Sequence, residues 1–289
     1  MGLKLEENMN YNLDLKITGN PFIDVGMYAL KTIVNKDIHE LSVDDLKIAT
    51  NTLSELYTTL RWKKNLYSIF PNSILVNPST AHNPDLKKIY QNYLNHMIET
   101  SEPANDSGSC MGCGRRNVKK TYGKETIPLT GSKSLINYFP LGKHGADYCP
   151  LCALLIQFIP LQICKCGSKF ILLHSNSDKV MNLWAQIANN NIRRQIITKN
   201  FTGCYYNKLP PVNTIFDMLF KIINSSKWEK ENASINFYEF SNFNQDPQLK
   251  IHIFPPKLFN YLAELPLNEQ YQLKRISEEE YKILMNEIR

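Results

Sequence analysis

Two Cys-x-x-Cys pairs, Cys110-Met-Gly-Cys113 and Cys149-Pro-Leu-Cys152, stand 35 residues apart in a chain of 289. A two-residue spacer lets both sulfurs of a pair turn onto one ion. Two such pairs complete the four-sulfur tetrahedron that zinc takes in structural sites, with no position left for water. A closed site of this kind builds structure and does not catalyse. Free thiols or two disulfides are the competing readings. The start of the chain, Met-Gly-Leu-Lys-Leu-Glu-Glu, lacks the basic lead and apolar core of a secretory signal, so a reducing cytoplasm and a metal are expected instead of disulfides. The spacer exceeds the roughly 15 to 20 residues of the commonest ribbon pattern, and Cys164-Lys-Cys166 offers substitute ligands nearby. Cys204 has no close partner in sequence and reads as a small buried hydrophobe.

Cys149-Pro150-Leu151-Cys152 matches half of the zinc-deaminase signature, but that chemistry needs a glutamate two residues after a ligand histidine. Here His144 is followed by Gly145 and Ala146, which removes the proton shuttle. A hydrolase or nuclease needs clustered carboxylates or an open metal site. Asp14 and Asp24 flank a helix start, and Asp44 and Asp45 sit at a second helix N-terminus, where acids are favoured for structural reasons. No catalytic residues are assigned.

The formal charge of +6 is unevenly placed. Between Cys110 and Phe170 nine basic residues (Arg115, Arg116, Lys119, Lys120, Lys124, Lys133, Lys143, Lys165 and Lys169) face two acidic ones, a local +7 that leaves the rest at −1. A basic patch on a neutral body is the footprint of a phosphate-binding surface, and it is equally the pattern of a solvated loop. The zinc knuckles favour the first reading, since rigid presentation does little for a solubilising loop. Arg115, Arg116, Lys119 and Lys120 follow the first knuckle directly and are the leading candidates for nucleic-acid contact. Lys124, Lys133 and Lys143 complete the set. Asn72 and Ser73, in a proline-bounded loop, suit either base edges or a turn. Arg193 and Arg194 are read as partners of a helix C-terminal pole, and Asn20 as a cap.

Alternation over Tyr11–Thr18 predicts a half-buried strand, and Asn20-Pro21 opens a helix. A second helix starts at Ser42, with Asp45 in capping-box position, and is expected to run to about Leu66. A third follows at Leu86, after a loop with three prolines; Glu102 to Ser109 reads as a flexible lead into the cysteine module. A short buried strand at Ile171–Leu173, helices over Asp178–Ile197 and Val212–Ile223, a hairpin of Ile235–Phe240 with Leu249–Phe254, and a last helix capped by Ser277 complete the chain. Without a regular beta-alpha-beta repeat, the expected class is α+β: mixed helices and short antiparallel strands with an inserted zinc module. The expected division is 1–101, an N-terminal α/β part; 102–170, the basic zinc module; and 171–289, helices with a β-hairpin. No apolar run approaches the roughly 20 residues of a membrane span.

Several segments, in order, carry a resemblance. They are Thr18-Gly-Asn-Pro-Phe-Ile-Asp24, Phe70-Pro-Asn-Ser73 with Asn77-Pro78, the Cys110/Cys113 knuckle, Pro128-Leu-Thr-Gly-Ser132, Tyr138-Phe-Pro140, Gly145 before Cys149-Pro-Leu-Cys152, Pro160-Leu161 and Phe237-Tyr-Glu-Phe240. Together they resemble the large subunit of type I-B CRISPR-Cas interference complexes, in its CXXC-CXXC subgroup. The resemblance implies a non-enzymatic subunit capping a backbone of repeated subunits bound to guide RNA. It inspects the motif beside a double-stranded DNA target and helps open the duplex, while base pairing reads the sequence. Members of that family continue into a C-terminal helical bundle, and this chain stops where the bundle would begin. The bundle's role is expected either from a separate small subunit or to be missing from this protein, and a helicase-nuclease or transposition proteins are the expected recruits. A zinc-ribbon scaffold for RNA or protein partners is the alternative.

Overall fold

Helix starts form where side chains can satisfy the free N–H groups of a first turn. The computed structural model describes residues 13–101, 109–116, 118, 121–131, 136–137, 143–225, 232–243 and 246–287. Among the described residues, 13–18 form no strand, and Asp14 takes the left-handed region at φ 44°, which corrects the expected first strand. Leu13 and Leu15 are buried, and the Leu13 N–H is spent on the Leu41 carbonyl instead of a ladder. Asn20 Oδ1 then accepts from the N–H groups of Phe22 and Ile23, and Pro21 begins α1 (Pro21–Val34).

Ser42 and Asp45 form the expected reciprocal capping box at the head of α2 (Val43–Tyr57). The helix does not reach Leu66. Thr59 turns extended, and the chain restarts as α3 (Leu60–Leu66) before the proline loop and α4 (Leu86–Glu99). Among its described residues the cysteine module carries four two-residue strands: β1 (Thr121–Tyr122), β2 (Ile136–Asn137), β3 (Lys143–His144) and β4 (Ala146–Asp147), paired β1 with β4 and β2 with β3. Its exit, α5 (Pro150–Ile156), is buried at every position and packs on α1 and α4.

The rest builds the main sheet. β5 (Cys164–Cys166) and β6 (Lys169–Ser175) form a hairpin, followed by α6 (Asp178–Thr198), β7 (Tyr205–Asn207), α7 (Pro211–Ile223), β8 (Ile235–Asn242) and β9 (Pro247–Phe254). The strand order is β7-β5-β6-β8-β9, antiparallel except for the parallel β5–β7 pair. That pair departs from the all-antiparallel expectation. Phe22 of α1 meets Phe240 edge-on over one face. On the other face Phe254 meets Phe216 of α7. Three helices end the described chain, α8 (Pro256–Glu264), α9 (Leu267–Leu273) and α10 (Glu278–Glu287), the last with Ser277 and Glu280 exchanging capping bonds. The class is mixed helix and strand, as expected. The boundary expected at residue 170 falls inside β6, and α5 belongs to the same apolar core as α1. Among the described residues, no helix is long and apolar enough to cross a membrane.

Candidate metal centre

The first cysteine pair sits in a tight loop closed by its own backbone. The Gly114 N–H donates to the Cys110 carbonyl at 2.8 Å and the Cys110 N–H to the Arg116 carbonyl at 3.3 Å, with Gly114 in the left-handed region at φ +67°. Cys149 caps α5, and its N–H donates to Cys110 Sγ at 3.1 Å; the Cys152 N–H donates to Cys149 Sγ at 3.4 Å. The four sulfurs lie within 4.8 Å of one another, three on buried cysteines and that of Cys113 half-buried. Zinc–sulfur bonds of about 2.3 Å set tetrahedral sulfurs roughly 3.8 Å apart, so the four positions suit zinc.

Electrostatics points the same way. Hydrogen bonds from Cys110, Cys149 and Cys152 hold the Cys113 thiol far below the usual thiol range, whereas donating to Cys110 and Cys113 pushes Cys149 and Cys152 well above it. Four packed sulfurs cannot all be thiolates without a cation among them. A bound zinc would make all four thiolates its ligands and tie the two knuckles together.

The site rests on α1. A Cβ at Gly112 would stand 2.2 Å from Ile23 Cδ1 and 2.9 Å from the Tyr148 ring, so a larger residue there would have to push the end of Ile23 aside. Asn20 Nδ2 reaches the Tyr148 hydroxyl at 3.3 Å, and the Met111 N–H bonds to the Asp147 carbonyl at 2.7 Å. Cys164 and Cys166 lie in β5, bonded into the main sheet and outside the sulfur cluster. Neither belongs to the four-sulfur cluster. Cys204 is buried as expected, at 2% exposure.

The basic residues divide. Arg116 is buried, at 5% exposure, and its Nη2 donates to the Leu13 carbonyl at 2.7 Å. A guanidinium so enclosed serves the fold, and this corrects the expectation of a phosphate contact there. Arg115 lies at the surface, but Nη1 donates to the Asp14 carbonyl at 3.3 Å and pairs with its carboxylate at 3.8 Å. Lys124 is half-buried in the turn after β1. Lys119, Lys120 and Lys133 lie outside the described residues, as does most of the expected lead at 102–108; Lys143 is placed by its backbone alone, paired with Asn137. Asn72 is exposed in a left-handed turn at φ 63°, while Ser73 is buried beneath it.

One buried group escaped the reading of the sequence. Asp24 is fully buried and accepts from the Thr18 N–H and hydroxyl, the Gly19 N–H and His174 Nε2, at 2.7 to 3.1 Å. The Thr-Gly-Asn-Pro-Phe-Ile-Asp run was the available signal, since a turn before a helix cap offers its N–H groups to a carboxylate one turn on.

No curated protein and no solved structure matches this chain. Residues 104–164 match the model of the Cas_CXXC_CXXC family, described as CRISPR-associated protein, and the match holds both cysteine pairs. The segment that builds the four-sulfur site is therefore similar to the cysteine module of CRISPR-associated proteins.

Proposed function

We propose that this chain is the non-catalytic large subunit of a type I-B CRISPR RNA-guided surveillance complex, engaging the duplex motif beside a target. The supporting observation is the coincidence of the family match over 104–164 with the buried four-sulfur cluster. A closed tetrathiolate leaves no coordination position for a reacting water, so its contribution is rigidity. Guide pairing supplies sequence discrimination in such a complex, and the protein supplies motif reading and backbone contacts. Its partners on this reading are the guide-RNA-bound backbone subunits and double-stranded DNA, with a small subunit and a recruited effector from other chains.

Expressing the chain with its genomic neighbours tests this. Coelution with a guide RNA and the repeated backbone subunits supports the reading, and elution alone, free of RNA, overturns it. One observation favours the zinc-ribbon scaffold instead: Arg115 and Arg116 are both engaged with residues 13–14, which thins the charge available for phosphate. Coelution with a protein partner and no guide RNA would support that second reading.

A further inference from the structure

Two long stretches of this chain hold no acid. Residues 56–84 and 179–216 contain neither Asp nor Glu, and they carry eight lysines and arginines between them. They stand far apart in sequence, and the fold stitches them together. Gln195 of α6 is buried; its Oε1 accepts from Trp62 Nε1 of α3 at 3.1 Å and from the Thr202 N–H at 3.0 Å, and its Nε2 donates to the Gly203 carbonyl at 2.8 Å. Asn65 Oδ1 of α3 accepts from the Cys204 N–H at 3.0 Å, one residue before β7. α3, the end of α6 and the β7 edge of the main sheet are thereby held against one another.

Around these contacts, cations and aromatic rings face solvent. Arg61 and Lys64 of α3, Arg194 of α6 and Lys208 after β7 are exposed. Lys165 pairs in register with Tyr206 across the parallel β5–β7 ladder, so both side chains stand on one face of the sheet. Tyr206 is 57% exposed, and Tyr67 at the end of α3 is 50% exposed. Among the described residues none of these five cations has an acidic partner. Nor does the helix pole hold Arg194: α6 continues to Thr198, which leaves the arginine outside its last turn and corrects the reading of the sequence. A solvated face ordinarily intersperses both signs, whereas a field of one sign is what a phosphate chain needs. Exposed tyrosine rings beside such a field offer platforms on which unpaired bases stack, faces that a duplex keeps covered.

We propose that the surface built by α3, the end of α6 and the β5–β7 edge binds a single-stranded polynucleotide. Its phosphates lie on Arg61, Lys64, Lys165, Arg194 and Lys208, and a base stacks on Tyr206. This deepens the proposed function and rests on that reading for the source of the strand, since a guide RNA and a displaced DNA strand share this chemistry. Lys165, counted by sequence with the cysteine module, belongs to this surface through β5.

The test titrates the zinc-loaded full chain into fluorescent oligo-dT, oligo-U and a duplex of equal length, read by anisotropy over a range of salt. Saturable binding is expected, tighter for the single strands than for the duplex. Combining Arg61→Gln, Lys64→Gln, Arg194→Gln and Lys208→Gln should flatten the slope of log affinity against log salt by up to about 2.8, from roughly 0.7 per contact on single strands. Tyr206→Ala should weaken binding by about five- to 150-fold, the loss of one stacked base, and leave the salt slope unchanged. Both variants should melt with the parent, since every altered side chain is exposed. Tighter binding of oligo-U would name RNA as the source and tighter binding of oligo-dT the DNA strand, and either supports the surface. Duplex bound as tightly as single strand, an unchanged slope in the fourfold variant, or full affinity in Tyr206→Ala would each overturn it. The result separates from the functional reading. A complex that assembles on guide RNA while these variants bind single strands as the parent does sinks the surface alone. A chain that holds single strands through Tyr206 but never joins a guide RNA sinks the functional reading alone.

Discussion

Arg116 Nη2 donates to the Leu13 carbonyl oxygen at 2.7 Å, tying the first cysteine knuckle to the segment that leads into α1. A buried charged hydrogen bond of this kind contributes about 1.5–3 kcal/mol. Arg116→Ala is therefore expected to lower unfolding stability in urea by about 2 kcal/mol, while the slope of log affinity for duplex DNA against log salt stays unchanged. A flattened slope with unaltered stability would place the guanidinium on a phosphate after all.

The charge reading then falls on Lys119 and Lys120. Each phosphate contact releases condensed counterions and adds roughly 0.9 to the salt slope on duplex DNA, so neutralising both should flatten it by up to about 1.8. Affinity should drop to a similar extent on every sequence, because phosphate contacts position without reading bases. An unchanged slope would mark these lysines as a solvated face.

For the metal centre, one zinc per chain is expected by elemental analysis. Cys110→Ser and Cys149→Ser should lose it together with the fold of the module, because the binding energy of a structural zinc is folding energy. Cys164→Ser should keep full zinc content, since its sulfur lies in β5 away from the cluster. Loss of metal in Cys164→Ser would redraw the ligand set.

How much of this was legible in the sequence follows from the range of each cause. Asn20 and Pro21, Ser42 and Asp45, and Ser277 and Glu280 set helix starts through bonds spanning at most three residues, and all three starts were read correctly. The four-cysteine cluster was also legible from spacing, and its sulfurs lie within 4.8 Å of one another. The break at Thr59 was hidden because no glycine or proline marks it; after it Leu60 is 66% exposed while Trp62 is buried and bonded to Gln195. α5 is apolar all round and so has no helical period. β5 and β7 are three residues long and pair in parallel across α6, a contact no local pattern encodes. Arg116 failed for the same reason, since counting charges treats every cation as solvated until the Leu13 carbonyl is brought beside it.

His252 links the hairpin to the last helix. Its Nε2 lies 3.0 Å from Glu239 Oε2, and its Nδ1 2.8 Å from the Tyr281 hydroxyl of α10. Burial pushes Glu239 up, but the hydrogen bond and charge of His252, with Lys250 and Lys169 nearby, outweigh it and hold the carboxyl below its usual value. A depressed carboxylate contributes stability above its unfolded value of about 4.3 and loses it as pH falls through the folded one. Glu239→Gln should therefore lose less stability than the parent between about pH 6 and about pH 3. Parallel acid limbs would remove Glu239 from the account.

α1 is approached closely from two sides. A Cβ at Gly26 would stand 2.0 Å from the Leu155 carbonyl oxygen of α5, and one at Gly112 would stand 2.2 Å from Ile23 Cδ1. Both are overpacked by a methyl group, but the obstacles differ. Leu155 presents main chain, fixed by a helix buried on every side, whereas Ile23 presents the end of a side chain that can be shortened. Gly26→Ala should cost about 3 kcal/mol or more, since only separation of the two helices relieves it. Gly112→Ala should cost less, and Ile23→Val in the same chain should recover part of that loss by trimming the atom in the way, a coupling that a double-mutant cycle reads directly. No side-chain change at Leu155 should rescue Gly26→Ala. If Leu155→Ala restores Gly26→Ala, the clash lies with the side chain, and the main-chain contact that seats α5 and its two cysteine ligands on α1 is misplaced.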